Sequence, residues 1–388
     1  MVGSGRYPDW LMDDLSPVIV AARRTPFGTS GGALRGVSLD GLAAPVLRAV
    51  LADAGGCAAD VDEAILGNVM GPGGNPARVA ALAAGFSDSV TGLTVDRQCG
   101  SGLAAVTLAA TAVLAGRADL VLAGGAESAS TAPLRSYRSP DGLGRRYDRA
   151  PFAPVGYDDP DMGVAADRLA AAAGVTRERQ DAYAARSHAR AVAAQDAGRF
   201  GAELVPLTPL AQDERPRRRF TVERLARFPA AFSPDGTATA ANSCGINDGA
   251  ALVAVVPERL RRGRPGLRIV DWVCVGVSSG EPGFGPVPAV RRLLDRTGVA
   301  VGDIGIVEFT EAFAGQVLAC LDALGIDERR VCPDGGAIAL GHPWGASGAA
   351  LVVRLFSQLV RAGGPRWGLA TCGIGGGMGL AALLERVG

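Results

Sequence analysis

C-G-S-G-L-A-A-V at residues 99–106 and G-A-S-G-A-A-L-V at residues 345–352 are the most informative segments of this chain. Each begins with small residues and continues as an Ala-rich run that is typical of a buried helix. Each predicted helix is followed by a predicted strand, at 119–125 after the first and at 368–373 after the second. The order of glycine turn, helix and strand is therefore the same in both.

A strand upstream of each stretch extends this similarity. D-E-A-I-L-G at 62–67 precedes the first stretch and D-I-G-I-V-E at 303–308 precedes the second, at a similar distance. The shared order predicts that the chain contains a duplicated half-domain. A chance similarity between two helices rich in Ala and Gly is the alternative.

Short apolar runs alternate with helical stretches along the chain. The runs with polar or Gly borders are Val18–Ala21, Ala64–Leu66, Leu120–Ala123, Ala251–Val256, Leu267–Val275 and Ile304–Phe309. Such runs are typical of strands that are covered by helices on both faces. The chain is therefore predicted to be an α/β protein with layered α/β/α half-domains.

A segment of different composition separates the two halves. It contains the Arg-, Pro- and Asp-rich stretch Pro133–Pro160 and two predicted helices, at 162–173 and 177–198. A long insertion in a compact repeat is typical of a functional loop domain. We therefore predict an N-terminal half at 1–126 that is completed by about 246–265, an inserted loop domain at 127–245, and a C-terminal half at 266–388.

The charge composition excludes several classes of partner. In the 388 residues, 39 basic side chains balance 39 acidic ones. Without a net positive field, neither nucleic acid nor an anionic membrane is a predicted partner, and a small-molecule substrate is favoured. All the basic residues are Arg, so a Schiff-base lysine and a P-loop are excluded.

The cysteines and the apolar stretches favour a cytoplasmic protein. The seven cysteines include no C-x-x-C pair, so neither a disulfide framework nor a structural zinc site is predicted. The N-terminal sequence MVGSGRYPDWLMDDLSP is too polar for a signal peptide. The longest apolar stretch, Gly102–Gly116, is too short to span a bilayer. We therefore expect a soluble protein without a metal ion.

Cys99 is the first candidate for chemistry. It stands between the extended stretch L-T-V-D-R-Q and the helix-forming run G-S-G-L-A-A-V. A thiol at the first turn of a helix is close to the positive end of the peptide dipoles, which lowers its pKa and favours the nucleophilic thiolate. Gly100 and Gly102 would leave room for an acyl group. The alternative is a small buried cysteine that packs beneath the helix.

Only one of the two histidines has the sequence context of a catalytic group. His342 lies in G-G-A-I-A-L-G-H-P-W-G-A-S-G, where glycines allow the backbone to approach a ligand closely. A Cys and a His together can generate a thiolate nucleophile. His188 lies in the charged run A-A-R-S-H-A-R-A and is predicted to be a solvated surface side chain.

Cys372 is a second candidate cysteine. It stands at the end of the second-half strand, before G-I-G-G-G-M-G. Because the pKa of a thiol lies near enough to neutrality, a cysteine beside the nucleophile could move protons to and from carbon. A buried structural cysteine is the alternative.

Together, these motifs resemble the thiolase family over essentially the whole chain, from R-T-P-F-G at 24–28 to the C-terminal glycine run. D-R-Q-C-G-S-G-L-A-A-V at 96–106 resembles the family's nucleophile motif, and G-G-A-E-S at 124–128 accompanies it. N-S-C-G-I-N-D-G-A-A at 242–251 and G-H-P-W-G-A-S-G at 341–348 resemble its CoA and histidine motifs. The resemblance implies the thiolase fold, with CoA or acyl-CoA as substrate and no permanently bound cofactor.

The resemblance also implies a role for each matching residue. Cys99 would carry the acyl group, His342 would activate it and later help to bind the second thioester oxygen, and Cys372 would transfer the α-proton. The backbone N–H groups of Cys99 and of one glycine among 375–377, taken as Gly376, would form an oxyanion hole. The residues implied to line the CoA and acyl pocket are Met162, Phe232, Ala240, Cys244 and Phe313. Arg218 and its neighbours would contact phosphate or adenine, with a solvated charge run as the alternative.

Three positions depart from the family pattern. Thr310 stands where the family has an Asn that holds a water of an oxyanion hole, and we predict that Thr310 holds this water from a displaced position. Two residues separate Cys372 from the next glycine, so counting back from the glycines places Gly373 in the acid/base position. We predict a one-residue bulge that returns Cys372 to this role. Asp161 replaces a His of the short-chain biosynthetic members, so acetyl specificity is not implied.

The predicted function is that of a thiolase, an acyltransferase of fatty acid metabolism. It would move an acyl group between CoA and an acyl-CoA, by thiolysis of a 3-ketoacyl-CoA or by Claisen condensation, through an acyl thioester on Cys99. The alternatives are a Claisen-condensing variant in secondary biosynthesis and a thiolase-like acyl-CoA-binding protein with impaired catalysis. The resemblance implies a homodimer, or a homotetramer if Pro133–Pro154 is an assembly loop.

Overall fold

The β-branched and Ala-rich runs of the sequence form long buried strands. A computed structural model describes residues 14–388. Its strands are β1 (Pro17–Arg24), β2 (Gly28–Thr29), β3 (Glu63–Gly67), β4 (Thr91–Val95), β5 (Val121–Ser128), β6 (Arg135–Tyr137), β7 (Arg145–Tyr147), β8 (Asn247–Pro257), β9 (Gly266–Gly276), β10 (Ile304–Phe309), β11 (Trp367–Ile374) and β12 (Met378–Val387). All six runs that were predicted to be strands overlap these elements.

The principal helices follow the Ala-rich stretches. They are α1 (Leu39–Asp53), α2 (Pro76–Ala83), α3 (Ser101–Leu114), α4 (Met162–Ala172), α5 (Arg177–Asp196), α6 (Pro286–Thr297), α7 (Ala314–Leu324) and α8 (Trp344–Leu355), which a π-helical segment extends through Phe356–Arg361. Single-turn helices lie at Val222–Leu225, Glu258–Arg261 and Ala337–Leu340, and 3-10 turns at Ala58–Asp60, Pro282–Phe284, Val301–Asp303 and Glu328–Arg330.

The strand pairing shows the duplication directly. In the first half, β5 pairs in parallel with β3 and antiparallel with β8, which pairs antiparallel with β1. In the second half, β11 pairs in parallel with β10 and antiparallel with β12, which pairs antiparallel with β9. The complete order is β10-β11-β12-β9-β1-β8-β5-β3-β4, with β2 beside β8. The halves are joined where β1 meets β9, at Val18–Arg268 and Ile19–Leu267.

The two helices of the repeat form the central layer between the halves. α3 and α8 share one buried core with strands of both halves, and their backbones come very close. A Cβ atom on Gly102 would lie 2.7 Å from the carbonyl oxygen of Gly345 and 2.8 Å from the amide nitrogen of Ala349. Gly102 therefore permits helix packing, which corrects the prediction that it makes room for an acyl group. Gly100 likewise avoids a collision with the side chain of Ile374.

The outer helices cover the remaining sheet faces. α1 and α2 bury the outer face of β1, β3, β5 and β8, while α6 and α7 bury the corresponding face of the second half. The inserted segment contributes α4, α5 and a small β6–β7 hairpin, and the first two pack against α7. This arrangement confirms the layered, duplicated α/β fold with an inserted loop region. The residue boundaries of the three domains stay predictions.

Two predictions concern a signal peptide and a membrane-spanning segment, and the described residues cover them only in part. Most of the stretch that was predicted not to be a signal peptide lies outside residues 14–388. Within those residues, no helix combines the length and the apolar character that crossing a bilayer requires.

Candidate active site

Cys99 lies in a tight turn that connects β4 to α3. Gln98, just before it, has a left-handed backbone with a φ of 47°. The side chain of Ser101 accepts a hydrogen bond from the Arg97 amide at 2.8 Å and donates one to the Gln98 carbonyl at 2.7 Å. Asp96 accepts a hydrogen bond from the Gln98 amide at 2.9 Å. These bonds hold the turn, and the thiol two residues before α3, in one conformation.

His342 faces Cys99 from the second half of the chain. Its Nε2 lies 3.3 Å from the Cys99 Sγ, and its Nδ1 lies 2.6 Å from the Ser347 Oγ. The Ser347 hydroxyl donates its hydrogen to the Pro343 carbonyl at 2.9 Å, so its oxygen is left to accept from Nδ1–H. The unprotonated Nε2 then faces the thiol. The Asn247 side chain fixes the histidine backbone, accepting from the His342 amide at 3.0 Å.

Burial determines the charge state of this pair. It raises the pKa of the Cys99 thiol to about 11, although the N–H groups of Cys99 and Gly375 act in the opposite direction. Burial also lowers the pKa of His342 to about 4. The resting pair is therefore a neutral thiol and a neutral imidazole. The prediction that the helix start would lower the pKa of Cys99 is wrong. The free-energy cost of burying a thiolate is larger than the stabilisation that the nearby backbone N–H groups give to its negative charge.

A cavity of about 130 Å³ lies beside this pair and is lined by residues from distant parts of the chain. The structure places six of the predicted site residues on its wall: Cys99, Met162, Cys244, Thr310, Phe313 and His342. Trp344, Gln316, Gly283 and Gly375 also line it and were not predicted individually. Most of the wall is apolar, so charges that form inside it interact strongly with the few polar groups present.

Cys372 does not reach this cavity. β11 and β12 pair without interruption from Trp367–Glu385 to Ile374–Met378, so the predicted bulge is absent. Because side chains alternate along a strand, Cys372 points into the central core, where burial raises its pKa strongly. Gly373 lies on the cavity wall instead. The structure therefore does not place the Cys372 thiol where the acid/base prediction requires it.

Thr310 is buried at the junction of two cavities. Its side chain is 2% exposed, and its Oγ1 has no hydrogen-bond partner among residues 14–388. It lines the cavity beside Cys99 and a second cavity of about 30 Å³ that also touches Ser347 and Glu308. A cavity of this volume is large enough for one water molecule, and Thr310, Ser347 and Glu308 are polar residues on its otherwise largely apolar wall.

The other predicted pocket residues lie farther out. Phe232 is 38% exposed and packs edge-on against Phe313, with 5.6 Å between the ring centroids. Ala240 is exposed, and Gly376 lies against the backbone of Phe152 rather than on the cavity wall. Arg218 is exposed and forms an ion pair with Asp196. None of these four touches the cavity, although Phe232 supports a residue that does.

Asp161, one of the three departures, has a local structural role. Its carboxylate caps the N-terminus of α4 by accepting a hydrogen bond from the Gly163 amide at 2.9 Å. It does not line the cavity.

His188 is buried rather than solvated, which corrects the prediction made from its charged neighbours. Only 1% of its surface is exposed, and its Nδ1 accepts a hydrogen bond from the Arg217 amide at 3.3 Å. Its ring packs edge-on against Phe220 at 4.8 Å between centroids. Burial lowers its pKa to about 3, with Arg215 and Arg217 adding to the effect.

An open surface depression lies elsewhere on the inserted segment. It is lined by Thr221, Glu223, Arg224, Arg227, Phe228 and Pro229. Neither Arg224 nor Arg227 forms an ion pair within residues 14–388, whereas the neighbouring Arg218 pairs with Asp196. No local pattern distinguishes these two arginines from the other charged residues nearby.

Comparisons with known proteins agree with this geometry. The family sequence model of the thiolase N-terminal domain matches residues 17–259. The family sequence model of the thiolase C-terminal domain matches residues 264–386. A putative acetyl-CoA C-acetyltransferase of Bacillus subtilis is 42% identical over 379 residues, which covers 96% of this chain and 99% of the relative. An acetyl-CoA acetyltransferase of Pseudomonas aeruginosa is 42% identical over 389 residues, covering 95% and 99% respectively.

A solved structure extends the agreement to the fold. The crystal structure of the Bacillus anthracis acetyl-CoA acetyltransferase superimposes with a TM-score of 0.90 at 37% sequence identity, covering 96% of this chain and 99% of that one. The predicted thiolase fold is therefore confirmed. With both domain models matched and relatives aligned over nearly the full length, this chain belongs to the thiolase family.

Proposed function

We propose that this chain is an acyltransferase that moves an acyl group between CoA and acyl-CoA thioesters through an acyl thioester on Cys99. The observation that carries this proposal is the 3.3 Å approach of the His342 Nε2 to the Cys99 Sγ at the wall of an apolar cavity. The names of the relatives, which are acetyl-CoA acetyltransferases, support the same chemistry.

The first half-reaction follows from the neutral pair. The unprotonated Nε2 of His342 takes the thiol proton as the Cys99 sulfur attacks the acyl carbon. The N–H groups of Cys99 and Gly375, which favour negative charge at the sulfur, are candidates to stabilise the oxyanion of the tetrahedral intermediate. Gly375 replaces Gly376 in this proposed role because only Gly375 lines the cavity.

The second half-reaction brings another CoA group to the acyl-enzyme. In thiolysis, CoA attacks the acyl group on Cys99; in condensation, the α-carbon of an acyl-CoA does so. His342 and a water held by Thr310 would bind the thioester oxygen of this second substrate. The unpartnered Oγ1 of Thr310 and the cavity behind it support this assignment.

CoA itself needs an anchor for its phosphates. Arg224 and Arg227 line an open depression together with Glu223 and form no ion pair with a carboxylate of residues 14–388, so both guanidinium groups can bind phosphate. Arg218, the predicted anchor, is already paired with Asp196. We propose Arg224 and Arg227 as phosphate contacts ahead of Arg218. Double replacement by Gln should raise the KM for acyl-CoA with little change in kcat, whereas Arg218→Gln serves as the matched control.

The direct test is acyl transfer to Cys99. After incubation with acetyl-CoA, mass spectrometry of the Cys99 peptide should show one acetyl group. Thiolysis assays with 3-ketoacyl-CoAs of increasing chain length then define the acyl group and the reaction direction. Condensation without thiolysis would favour the variant of secondary biosynthesis. Acetyl-CoA binding without acylation of Cys99 would leave only the binding-protein alternative.

We also propose that the chain forms a homodimer through the edge of the first-half sheet. β4 ends the sheet, and Leu93 on this strand is 42% exposed. Val79 and Leu82 on the adjacent α2 are 45% and 43% exposed. An open strand edge with exposed apolar side chains is typical of a protein interface. Light scattering should give twice the monomer mass, and Leu93→Arg should shift it to the monomer.

The proposed compartment is the cytoplasm. All seven cysteines are free, and the one that carries the proposed chemistry, Cys99, must remain reduced to act as a nucleophile. A reducing compartment maintains this state. Fractionation of cells that express the chain with a fluorescent tag would test the assignment.

A further inference from the structure

The cavity lacks a proton-transfer group at the position where the sequence pattern requires one. Gly373 lies on the wall beside Gln316, and a Cβ atom at this position would be 3.2 Å from the Pro282 carbonyl oxygen and 3.4 Å from the Gln316 Nε2. The Cys372 thiol lies on the opposite face of β11, in the central core. Another side chain must therefore move the α-proton if the enzyme makes or breaks a carbon–carbon bond.

Few side chains on the cavity wall can transfer a proton at the α-carbon of the substrate. Apart from Cys99 and His342, which form the acyl-transfer pair, Cys244 is the thiol that lines the cavity. The Thr310 hydroxyl and the Gln316 amide do not ionise in the range that general acid–base catalysis needs. Among the residues the structure describes on this wall, Cys244 is thus the available proton carrier.

The backbone around Cys244 holds the thiol in place. The Cys244 amide donates to the Ala312 carbonyl at 2.9 Å, and Ser243 pairs with Phe313 in an isolated β-bridge. Both partners belong to the segment that carries Thr310, so Cys244 and the predicted water site are fixed to one another. Cys244 and Cys99 both line the main cavity.

An arginine without a counter-ion lies next to Cys244. Arg215 is partly buried and forms no ion pair with a carboxylate of the described chain. Its Nε has no hydrogen-bond partner there, while its Nη2 donates to the carbonyl oxygens of Ser243 and Ile338. A Cβ atom on Gly245 would collide with its guanidinium, so Gly245 brings the cation close to the Cys244 backbone. Burial raises the pKa of Cys244 to about 12, and the charge of Arg215 opposes this shift. A neighbouring guanidinium stabilises the thiolate whenever it forms.

We propose that Cys244 is the group that transfers the proton at the α-carbon of the substrate, in place of the cysteine that the glycine at 373 replaces. This inference rests on the proposed function of the same site. It assigns Cys244 a direct chemical role instead of the pocket-lining role that the sequence predicted.

The proton and electron balance of thiolysis is complete with these groups. Cys99 gives its proton to His342 and attacks the C3 carbonyl of a 3-ketoacyl-CoA; the C2–C3 bond then breaks and its electron pair moves to C2. The Cys244 S–H protonates C2, which releases acetyl-CoA and leaves a Cys244 thiolate beside Arg215. CoA next gives its thiol proton to this thiolate and attacks the acyl group, and His342 returns the first proton to Cys99.

Hydrogen exchange at the α-carbon of acetyl-CoA tests the proposal. Acetyl-CoA with deuterium in its methyl group is incubated with each variant, and loss of deuterium is followed by mass spectrometry alongside acetylation of Cys99. Cys244→Ala and the isosteric Cys244→Ser should both acetylate Cys99 and lose exchange by about a hundredfold or more, the scale of general acid–base catalysis. Cys372→Ala, in the core, is the matched control and should retain exchange.

A rescue variant shows whether exchange is lost because the thiol is missing or because the substitution at Cys244 damages the structure. Gly373 has no positive φ, so Gly373→Cys places a thiol on the cavity wall with ordinary backbone angles, once the Pro282 carbonyl oxygen, 3.2 Å from the new Cβ atom, shifts slightly. In the Cys244→Ala background it should restore part of the exchange. Exchange that survives in both Cys244 variants, that disappears in Cys372→Ala, or that is absent from the wild type would overturn the proposal. Exchange that depends on Cys244 in a protein that never acetylates Cys99 would instead contradict only the proposed function.

Discussion

The Cys99 Sγ and the His342 Nε2 lie 3.3 Å apart although the two residues are separated by 243 positions in the chain. The repeat explains this approach: each residue lies just before one of the two central helices, and α3 and α8 pack with their starts together. The nucleophile and its base therefore come from equivalent places in the two halves.

Removal of either member should abolish acylation. Cys99→Ala has no nucleophile and His342→Ala has no group to accept the thiol proton, so each should lower kcat/KM by several orders of magnitude. Steady-state kinetics and mass spectrometry of the acetylated protein check both. Acetylation that persists in Cys99→Ala would show that another residue is the nucleophile.

The neutral resting pair predicts a specific pH dependence. Because burial raises the pKa of Cys99 to about 11, the thiol stays protonated through neutrality and ionises only in strong alkali. Because burial lowers the pKa of His342 to about 4, the acylation rate should rise with pH through that value and then stay level. The difference in thiolate ultraviolet absorbance between wild type and Cys99→Ala measures the first effect. A thiolate signal at neutral pH would mean that the pair is an ion pair.

Ser347 should act as a positioning residue for His342. Its hydroxyl oxygen receives Nδ1–H at 2.6 Å and keeps the unprotonated Nε2 towards Cys99. In Ser347→Ala the buried Nδ1–H loses its acceptor, which costs about 1–3 kcal/mol and corresponds to acylation slower by roughly fivefold to 150-fold. The KM for acyl-CoA should hardly change, since Ser347 does not line the main cavity.

A conservative variant distinguishes positioning from packing. Ser347→Thr keeps the hydroxyl and should restore most of the acylation rate, with the pH profile of the wild type. Equal losses in Ser347→Ala and Ser347→Thr would indicate a packing role instead.

His188 should contribute to stability and not to chemistry. It is buried between the Arg217 backbone and the Phe220 ring, and it does not line the cavity. His188→Ala should lower the free energy of unfolding by about 1–3 kcal/mol, as expected for a lost buried hydrogen bond and a small void, while kcat stays close to the wild type. Chemical denaturation and steady-state kinetics measure the two quantities separately.

The same histidine predicts how stability depends on pH. Its pKa falls from an ordinary value of 6.5 to about 3 on folding, so the folded state binds the proton less readily than the unfolded state. The stability associated with the neutral imidazole is present above pH 6.5 and is lost as the pH falls towards 3. His188→Ala should therefore lose less stability than the wild type between these two values. An identical acid dependence in both proteins would contradict the buried, neutral histidine.

The sequence was sufficient for features that depend on local pattern. The run Ile304–Phe309 forms a strand with the predicted bounds, and the repeat of strand, turn, helix and strand predicted two equivalent halves. Cys99 and His342 were identifiable because each lies in a glycine-rich turn before a buried helix. These signals are contained within a few neighbouring residues.

Features that depend on strand register or on distant segments of the chain could not be predicted from neighbouring residues. Whether Cys372 or Gly373 faces the cavity depends on uninterrupted pairing between β11 and β12, and a shift of one residue exchanges the two faces. His188 is covered by Phe220, a residue from a later loop, so its charged neighbours on the helix gave the wrong prediction. The absence of a carboxylate partner for Arg215 within residues 14–388 likewise depends on where distant segments fold.

Thr310 is the position where one substitution distinguishes a displaced water from a lost one. Its buried Oγ1 has no partner within residues 14–388, and it lies between the main cavity and a smaller one of about 30 Å³. A buried hydroxyl without a partner costs free energy, so an ordered water within hydrogen-bond reach of Thr310 and His342 is expected. Loss of a well-placed oxyanion donor costs about 3–4 kcal/mol, whereas a displaced water costs about 1 kcal/mol.

Two variants of Thr310 follow from this difference. Thr310→Asn restores the side chain that the family pattern has here and should react at the wild-type rate or faster. Thr310→Val has nearly the same shape but no hydroxyl, so it should lose the water and slow the second half-reaction while acetylation of Cys99 continues. A crystal structure with bound CoA locates the water, and single-turnover kinetics separate the two half-reactions. A dry site, together with a Thr310→Asn variant that is slower than wild type by more than about tenfold, a loss of roughly 1.4 kcal/mol, would mean that Thr310 has a different chemical role.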